Sequence, residues 1–394
     1  MTSEGAQRAI HVLVIDDSAV VRQALRQLLS TEPDISVSVA GDALIADKKI
    51  RARRPDVVIL DLELPRVDGL TWLRGRMATD PLPVIVCSAQ VGDAALPALV
   101  ALDEGALEVV PKPRLGVRDF LVSSHASLIR SIRAAASAHL VRSDPAVQVG
   151  ACARRSPRAE RGPDRRSGRP PECASVRRAK PREADPRVIA LAASTGGPQA
   201  LQAILSALAP ESPPILVVQH MSGAFTGAFA RRLDSLCAIT VREARTDDRL
   251  EPGTALIAPG GSHLEVARPG GGELRVRLVS SPAVHGHRPS ADVMFRSLAR
   301  TGGARALGVL LTGMGRDGAE GLLALRRAGA HTLAESEESC VVFGMPRAAI
   351  EIGAAELSLP VREMAASIAK WAETDAPRAA SAPGRVPEPG ERSR

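Results

Sequence analysis

The sequence predicts two α/β units in one chain: an N-terminal doubly wound parallel sheet, followed by a larger three-layer α/β domain with some antiparallel decoration. Three observations predict this. Short β-branched runs alternate with segments of helical spacing in both halves, the pattern of parallel strands covered by helices. The chain is 394 residues long, too long for one average domain. Between residues 141 and 186 the pattern stops and a proline- and arginine-rich stretch replaces it.

In the first block, about residues 1–140, HVLVI, ISVSVA, DVVIL, PVIVC and LEVV read as strands. Between the first two, Val20, Ala24, Leu25, Leu28 and Leu29 keep helical spacing. In the second block, 187–375, VIALAA, ILVVQ and LGVLLT read as strands. Leu201, Ile204, Leu205 and Leu208 mark a helix after Pro198, a residue suited to a first helical turn. Residues 254–279 read as hairpins, TALIAPGGSHLEV and ELRVRLV around glycine turns.

Hydrophobic residues make up 45% and charged residues 24%, the balance of a soluble globular protein. No run reaches the roughly 18 to 20 apolar residues of a membrane span. The start MTSEGAQRAI lacks the basic and apolar regions of a signal peptide. The cysteines Cys87, Cys152, Cys173, Cys237 and Cys340 are scattered and form no C-x-x-C pair. Neither a disulfide framework nor a zinc site is expected. The expectation is a cytoplasmic protein with no membrane insertion.

The net charge of +7 invites a nucleic-acid reading, so its location matters. Residues 141–186 hold 12 basic and 6 acidic residues with seven prolines, and 376–394 hold 4 basic and 2 acidic. The rest of the chain is near neutral, and with no tyrosine and 2% aromatics it offers few stacking platforms. The basic segments are expected to be a solvated linker, with a mean span of roughly 40 Å, and a tail. No nucleic-acid partner is expected.

Four runs of the first block end in polar residues: VLVI in Asp16 and Asp17, VVIL in Asp61, VIVC in Ser88, and LEVV in Lys112 before Pro113. In an open parallel sheet, ligands bind outside the carboxyl ends of strands. Three carboxylates there suit Mg²⁺. A hydroxyl and an ammonium beside them would hold the oxygens of a phosphoryl group carried on one carboxylate. Acids after strands are also ordinary helix caps and turn residues. The occurrence of all four strand ends in order favours the ligand reading. Lys112 adds weight as one of only five lysines among 51 basic residues.

IDDSAVVRQAL, DLELPRVDGL and the Lys112-Pro113 pair resemble the response-regulator receiver domain over about 120 residues. The resemblance implies Asp61 as phospho-acceptor, Asp16 and Asp17 as the acidic metal pair, Ser88 as switch hydroxyl and Lys112 as the phosphoryl-binding lysine. It also implies a histidine kinase as phosphodonor, with Mg²⁺ required. Val109 departs from it, standing where many receivers place an aromatic switch residue.

In the second block, VIALAA runs into Ser194-Thr195-Gly196-Gly197 before Pro198 opens a helix. A helix N-terminus offers free N–H groups and a positive dipole end. The loop could therefore cradle a phosphate, or it could present Ser194 as a nucleophile with backbone N–H groups around its oxyanion. A serine nucleophile needs a base oriented by a third group. ILVVQ leads into His220, and LGVLLT into a glycine-rich loop carrying Asp317, so these three side chains could meet above one sheet. His285 and His287 form an H-x-H pair that could bind metal, but no second acidic or cysteine cluster accompanies it in sequence. Loop histidines of this kind are usually hydrogen-bonded structural residues. His263 sits in a glycine turn and His331 begins a strand-like run.

AASTGGPQAL, QHMSGAFTGAFARRLD, IAPGGSHLEV, HRPSADVMFRSLA, LTGMGRDGAEGL and ESCVVFGMPRAAIE resemble the chemotaxis protein-glutamate methylesterase (CheB) family across most of 187–360. The resemblance implies a hydrolase-type domain with Ser194 as nucleophile, His220 as general base and Asp317 as its orienting acid. Thr195 and Met314 lie where oxyanion contacts would be. It implies hydrolysis of glutamyl methyl esters on chemoreceptors, deamidation of receptor glutamines, and no cofactor for the hydrolysis. Ala192 and Ser222 depart from the family's commoner glycine and proline, and the linker is longer than in well-known members. Three rivals remain at this stage: a transcription factor, a non-catalytic phosphate sink, and the same hydrolase serving another pathway.

Overall fold

The computed structural model describes residues 9–90, 92–112, 118–138, 187–302 and 305–373. The expected linker and tail, with Pro113, Cys152 and Cys173, lie outside the described residues.

The first block runs β1 (Ile10–Ile15), α1 (Ala19–Leu29), β2 (Ile35–Ala40), α2 (Ala43–Ala52), β3 (Val57–Leu60), α3 (Gly69–Thr79), β4 (Val84–Ser88), α4 (Leu96–Asp103), β5 (Glu108–Pro111) and α5 (Arg118–Ala136). Its sheet has the order β2-β1-β3-β4-β5, with all pairs parallel. The helices start where polar caps stop the strand-to-helix loops. Ser18, Asp42 and Asp68 each accept a backbone N–H from the first turn of α1, α2 and α3. Strand residues alternate between the two faces. Val12, Val14 and Ile59 pack with Leu25, Leu29, Ile129 and Ile132 of α1 and α5. Leu13, Ile15 and Leu60 pack toward α2, α3 and α4. The strand order reverses between β1 and β3, where Ile15 lies opposite Leu60. The residues that follow them, Asp16 and Asp61, therefore leave the sheet side by side at the switch point.

The second block runs β6 (Val188–Ala193), α6 (Gly197–Leu205), β7 (Ile215–Gln219), α7 (Gly223–Leu236), β8 (Thr240–Glu243), β9 (Thr254–Ile257), β10 (His263–Ala267), β11 (Arg275–Val279), α8 (Ala291–Gly302), β12 (Ala306–Leu310), α9 (Ala319–Arg327), β13 (His331–Glu335), α10 (Met345–Glu351), β14 (Leu357–Leu359) and α11 (Val361–Glu373). Seven parallel strands form one sheet, ordered β14-β13-β12-β6-β7-β9-β8. Leu201, Phe225, Leu233, Met364 and Ile368 cover one face from α6, α7 and α11. Met294, Phe295, Leu322 and Met345 cover the other from α8, α9 and α10. The result is three layers with a switch point between β6 and β12.

One expectation changes. TALI does not form a hairpin with the residues after it; β9 pairs parallel with β7, and only β10 and β11 make an antiparallel hairpin. Ala255, Leu256 and Ile257 are all buried, as befits an interior parallel strand rather than a half-exposed hairpin arm.

The described parts of both blocks cluster into one compact unit. Gln199 of α6 donates to the carbonyls of Leu102 and Ala106 at 2.9 and 2.7 Å. Arg232 of α7 pairs with Asp103, and Arg130 of α5 donates to the Gly286 carbonyl at 3.0 Å. The α4–β5–α5 side of the first block thus lies on the second.

Candidate active site and phosphoryl site

Ser194 follows β6 directly and is almost fully buried. Its backbone is held from three sides. The N–H donates to Thr312 O at 2.9 Å, while the carbonyl accepts from Gly197 N–H at 2.8 Å and Gln219 Nε2 at 2.9 Å. Gly196 has φ 77°, and a Cβ there would sit 2.5 Å from Val341, so only glycine closes this turn. A Cβ on Gly313 would come within 2.6 Å of Ser194 Cβ. The β12 loop therefore approaches the serine as closely as backbone allows. Among the described residues, neither the Thr195 nor the Met314 backbone N–H donates to a protein acceptor.

His220 directly follows β7, and Asp317 lies in the loop after β12. Because β6 lies between these strands, the three side chains share one sheet edge. His220 Nε2 meets Asp317 Oδ2 at 2.8 Å. Asp317 also accepts Ser290 Oγ–H at 2.6 Å and Ala291 N–H at 2.7 Å. Burial works to raise the Asp317 carboxyl, but His220 and these donors outweigh it and hold it well below the usual carboxylate range. His220 Nδ1 is buried and has no hydrogen-bond partner among the described residues. Ser194 and His220 line one cavity of about 740 Å³ without a direct hydrogen bond between their side chains.

The remaining histidines divide by contact. His263 is fully buried, with Nε2 on Pro282 O at 3.1 Å and Nδ1 accepting Ser290 N–H at 3.1 Å; it thereby fixes the residue that donates to Asp317. His331 meets Glu356 at 3.0 Å. For the H-x-H pair, the fold adds Asp317 to Asp292, which follows seven residues after His285. His285 Nε2 lies 3.1 Å from Asp292, and donor atoms of His285, Asp292 and Asp317 fall within 4.8 Å of one another. Both carboxylates are already committed to N–H donors, Asp292 to Gly321 at 2.6 Å. Among the described residues His287 makes no such bond; its ring stacks on His220.

In the first block, Asp16, Asp17 and Asp61 bring carboxylate oxygens within 4.8 Å of one another, with Asp16 and Asp61 buried. Lys112 Nζ lies 2.6 Å from Asp61 and 2.9 Å from Asp16. Burial pushes the Asp61 carboxyl up, against the pull of Lys112. Burial also works against the Lys112 ammonium, yet the two carboxylates hold its pKa above the ordinary lysine value. Ser88 is turned onto Gln90, accepting its N–H at 3.1 Å. Val109 is buried at the seam with the second block.

Sequence reasoning missed Glu108. It opens β5 of the first block, accepts Ser131 Oγ–H at 2.8 Å, and takes the Thr195 hydroxyl at 3.3 Å. With Arg130 and Ser131 it walls the cavity that holds Ser194 and His220. No local pattern marks such a residue, because its partner is 87 positions away.

Comparison with known proteins shows which families the two blocks match. The CheB methylesterase family pattern matches residues 189–368, and the response regulator receiver domain pattern matches 12–118. A protein-glutamate methylesterase/protein-glutamine glutaminase of Anaeromyxobacter dehalogenans is 48% identical over 368 residues, 92% of this chain and 99% of that protein. One of Albidiferax ferrireducens is 45% identical over 357 residues, 90% of this chain and 98% of that protein. The crystal structure of the Thermotoga maritima CheB methylesterase catalytic domain is 36% identical, covering 48% of this chain and 99% of that one, with a TM-score of 0.46.

Proposed function

The chain belongs to the CheB methylesterase family, and we propose that it is a phosphorylation-regulated protein-glutamate methylesterase acting on methylated chemoreceptors. The observation that carries the reading is the buried Nδ1 of His220, unpartnered in the cavity of Ser194 while Nε2 is engaged by Asp317. A carboxylate on Nε2 places the proton there and leaves a lone pair on Nδ1. Nδ1 then takes the Ser194 Oγ proton as Oγ attacks the ester carbonyl carbon. The oxyanion forms between the backbone N–H groups of Thr195 and Met314. Collapse breaks the bond to the methoxy oxygen, which leaves as methanol with the proton from His220. Water repeats the sequence on the acyl-enzyme and releases the glutamate. Attack on a glutamine amide follows the same steps with ammonia leaving.

The division that goes with this reading is a receiver domain over 1–140, a linker over 141–186, a methylesterase domain over 187–375 and a tail over 376–394. In the receiver, Asp61 accepts the phosphoryl group from a sensor histidine kinase. The oxygen-only donor set of Asp16, Asp17 and Asp61, with Asp61 pushed up by burial, fits Mg²⁺. When bound, the ion supplies positive charge against the phosphoryl oxygens. Lys112 binds a phosphoryl oxygen, and Ser88 leaves Gln90 to bind another. The unphosphorylated receiver covers the Ser194 crevice with Glu108, Arg130 and Ser131, and phosphorylation loosens that cover.

The test is methanol release from a methylated chemoreceptor fragment by wild type and Ser194→Ala, with and without a small phosphodonor and Mg²⁺. Release that disappears in Ser194→Ala and rises with phosphodonor supports the reading. Release that persists in Ser194→Ala contradicts it.

A further inference from the structure

We propose that His287 is a positioning residue for His220, its stacked ring fixing the plane in which the base presents Nδ1. The inference rests on His220 being the base. The bond from Nε2 to Asp317 restrains one atom of the imidazole, and the last torsion of a histidine side chain is broad. A second restraint is needed to hold the plane. His287 supplies it: the ring centroids lie 3.8 Å apart and the planes differ by 7°.

The loop that carries His287 is itself fixed. Val284 and His287 exchange backbone hydrogen bonds at 3.1 and 2.9 Å, across a turn in which His285 and Gly286 both have positive φ. His285 is tied to Asp292, and Gly286 O accepts from Arg130. The stack also suits the chemistry. Burial, followed by the nearness of His220, lowers the His287 pKa below the ordinary histidine value and so favours the neutral ring. A neutral π face beside a ring that becomes imidazolium during attack is attractive, whereas a second cation would repel it.

The experiment uses the full chain, activated with phosphodonor and Mg²⁺, and compares His287→Ala, His287→Phe and His220→Ala in methanol release. With the plane released, His287→Ala lowers kcat roughly ten- to hundredfold, and KM stays within about twofold. His287→Phe keeps a flat neutral ring and recovers most of the rate, which also guards against an Ala variant that fails to fold. Wild-type kcat in His287→Ala, or a Phe variant no better than Ala, overturns the proposal. His220→Ala separates the two levels. Activity retained there sinks the base assignment and this proposal with it. Activity lost there while His287→Ala turns over normally overturns the positioning role alone.

Discussion

Asp61 and Asp317 are the same residue type, each buried to 2% exposure or less, each beside a switch point at the carboxyl end of a parallel sheet. Burial acts on both in the same direction, yet Asp61 is pushed up and Asp317 is held far down. The difference lies in the donors. Asp317 takes His220 Nε2, the Ser290 hydroxyl and the Ala291 N–H. Asp61 has Lys112, shared with Asp16, and one N–H from Glu63 at 3.2 Å. One fold position thus carries two environments: a carboxylate whose charge three donors satisfy, and one on which burial outweighs its lysine.

The contrast can be broken at several points. The largest expected effect is at the satisfied acid. Asp317→Asn keeps the shape but presents the wrong donor to Nε2, and kcat for methanol release should fall by roughly a thousandfold or more. A loss below tenfold would remove the claim that this charge is part of the machinery. Next comes the unsatisfied acid. Asp61→Asn should abolish stimulation by phosphodonor; full stimulation in that variant would mean that the signal enters elsewhere.

The smallest effect sharpens the comparison at the seam. Burial pushes the Glu108 carboxyl above its ordinary 4.5, against the Ser131 and Thr195 hydroxyls. A group raised in the covered form stabilises that form fully below its free value and loses the contribution as pH rises through the raised one. The ratio of phosphodonor-stimulated to basal rate should therefore fall with rising pH. Glu108→Gln, which cannot ionise, should hold the ratio flat, a difference of about two- to fivefold. Equal slopes in the two proteins would show that Glu108 does not set the cover.

Much of this was legible in the sequence because strand ends advertise themselves. Asp16, Asp61, Ser194 and His220 each follow a buried β-branched or aliphatic run, and parallel sheets gather such ends on one edge. What stayed hidden depends on which strands become neighbours. TALI reads alike as a hairpin arm and as an interior strand, since a short apolar run carries no direction. Glu108 and Ser290 reach the site through contacts with distant segments, and nothing in their own neighbourhoods distinguishes them from surface or cap residues; His287 stood out as half of an H-x-H pair, but its stack on His220 depends on a distant segment. His285 shows the converse. Its sequence neighbours offered Asp292 but no cluster of acids, and the fold brought Asp317 beside it, both already taken by backbone donors.

The central claim is that one chain holds a serine-centred hydrolytic site under a cover that phosphorylation lifts. The most direct measurement is the rate at which a serine-directed organophosphorus reagent labels Ser194 in the full chain, followed by mass spectrometry with and without phosphodonor and Mg²⁺. The account predicts labelling at Ser194 that accelerates on phosphorylation in wild type and does not in Asp61→Asn. Labelling at Ser194 that runs equally fast in both states would contradict the cover, and an inert Ser194 in the phosphorylated chain would contradict the site itself.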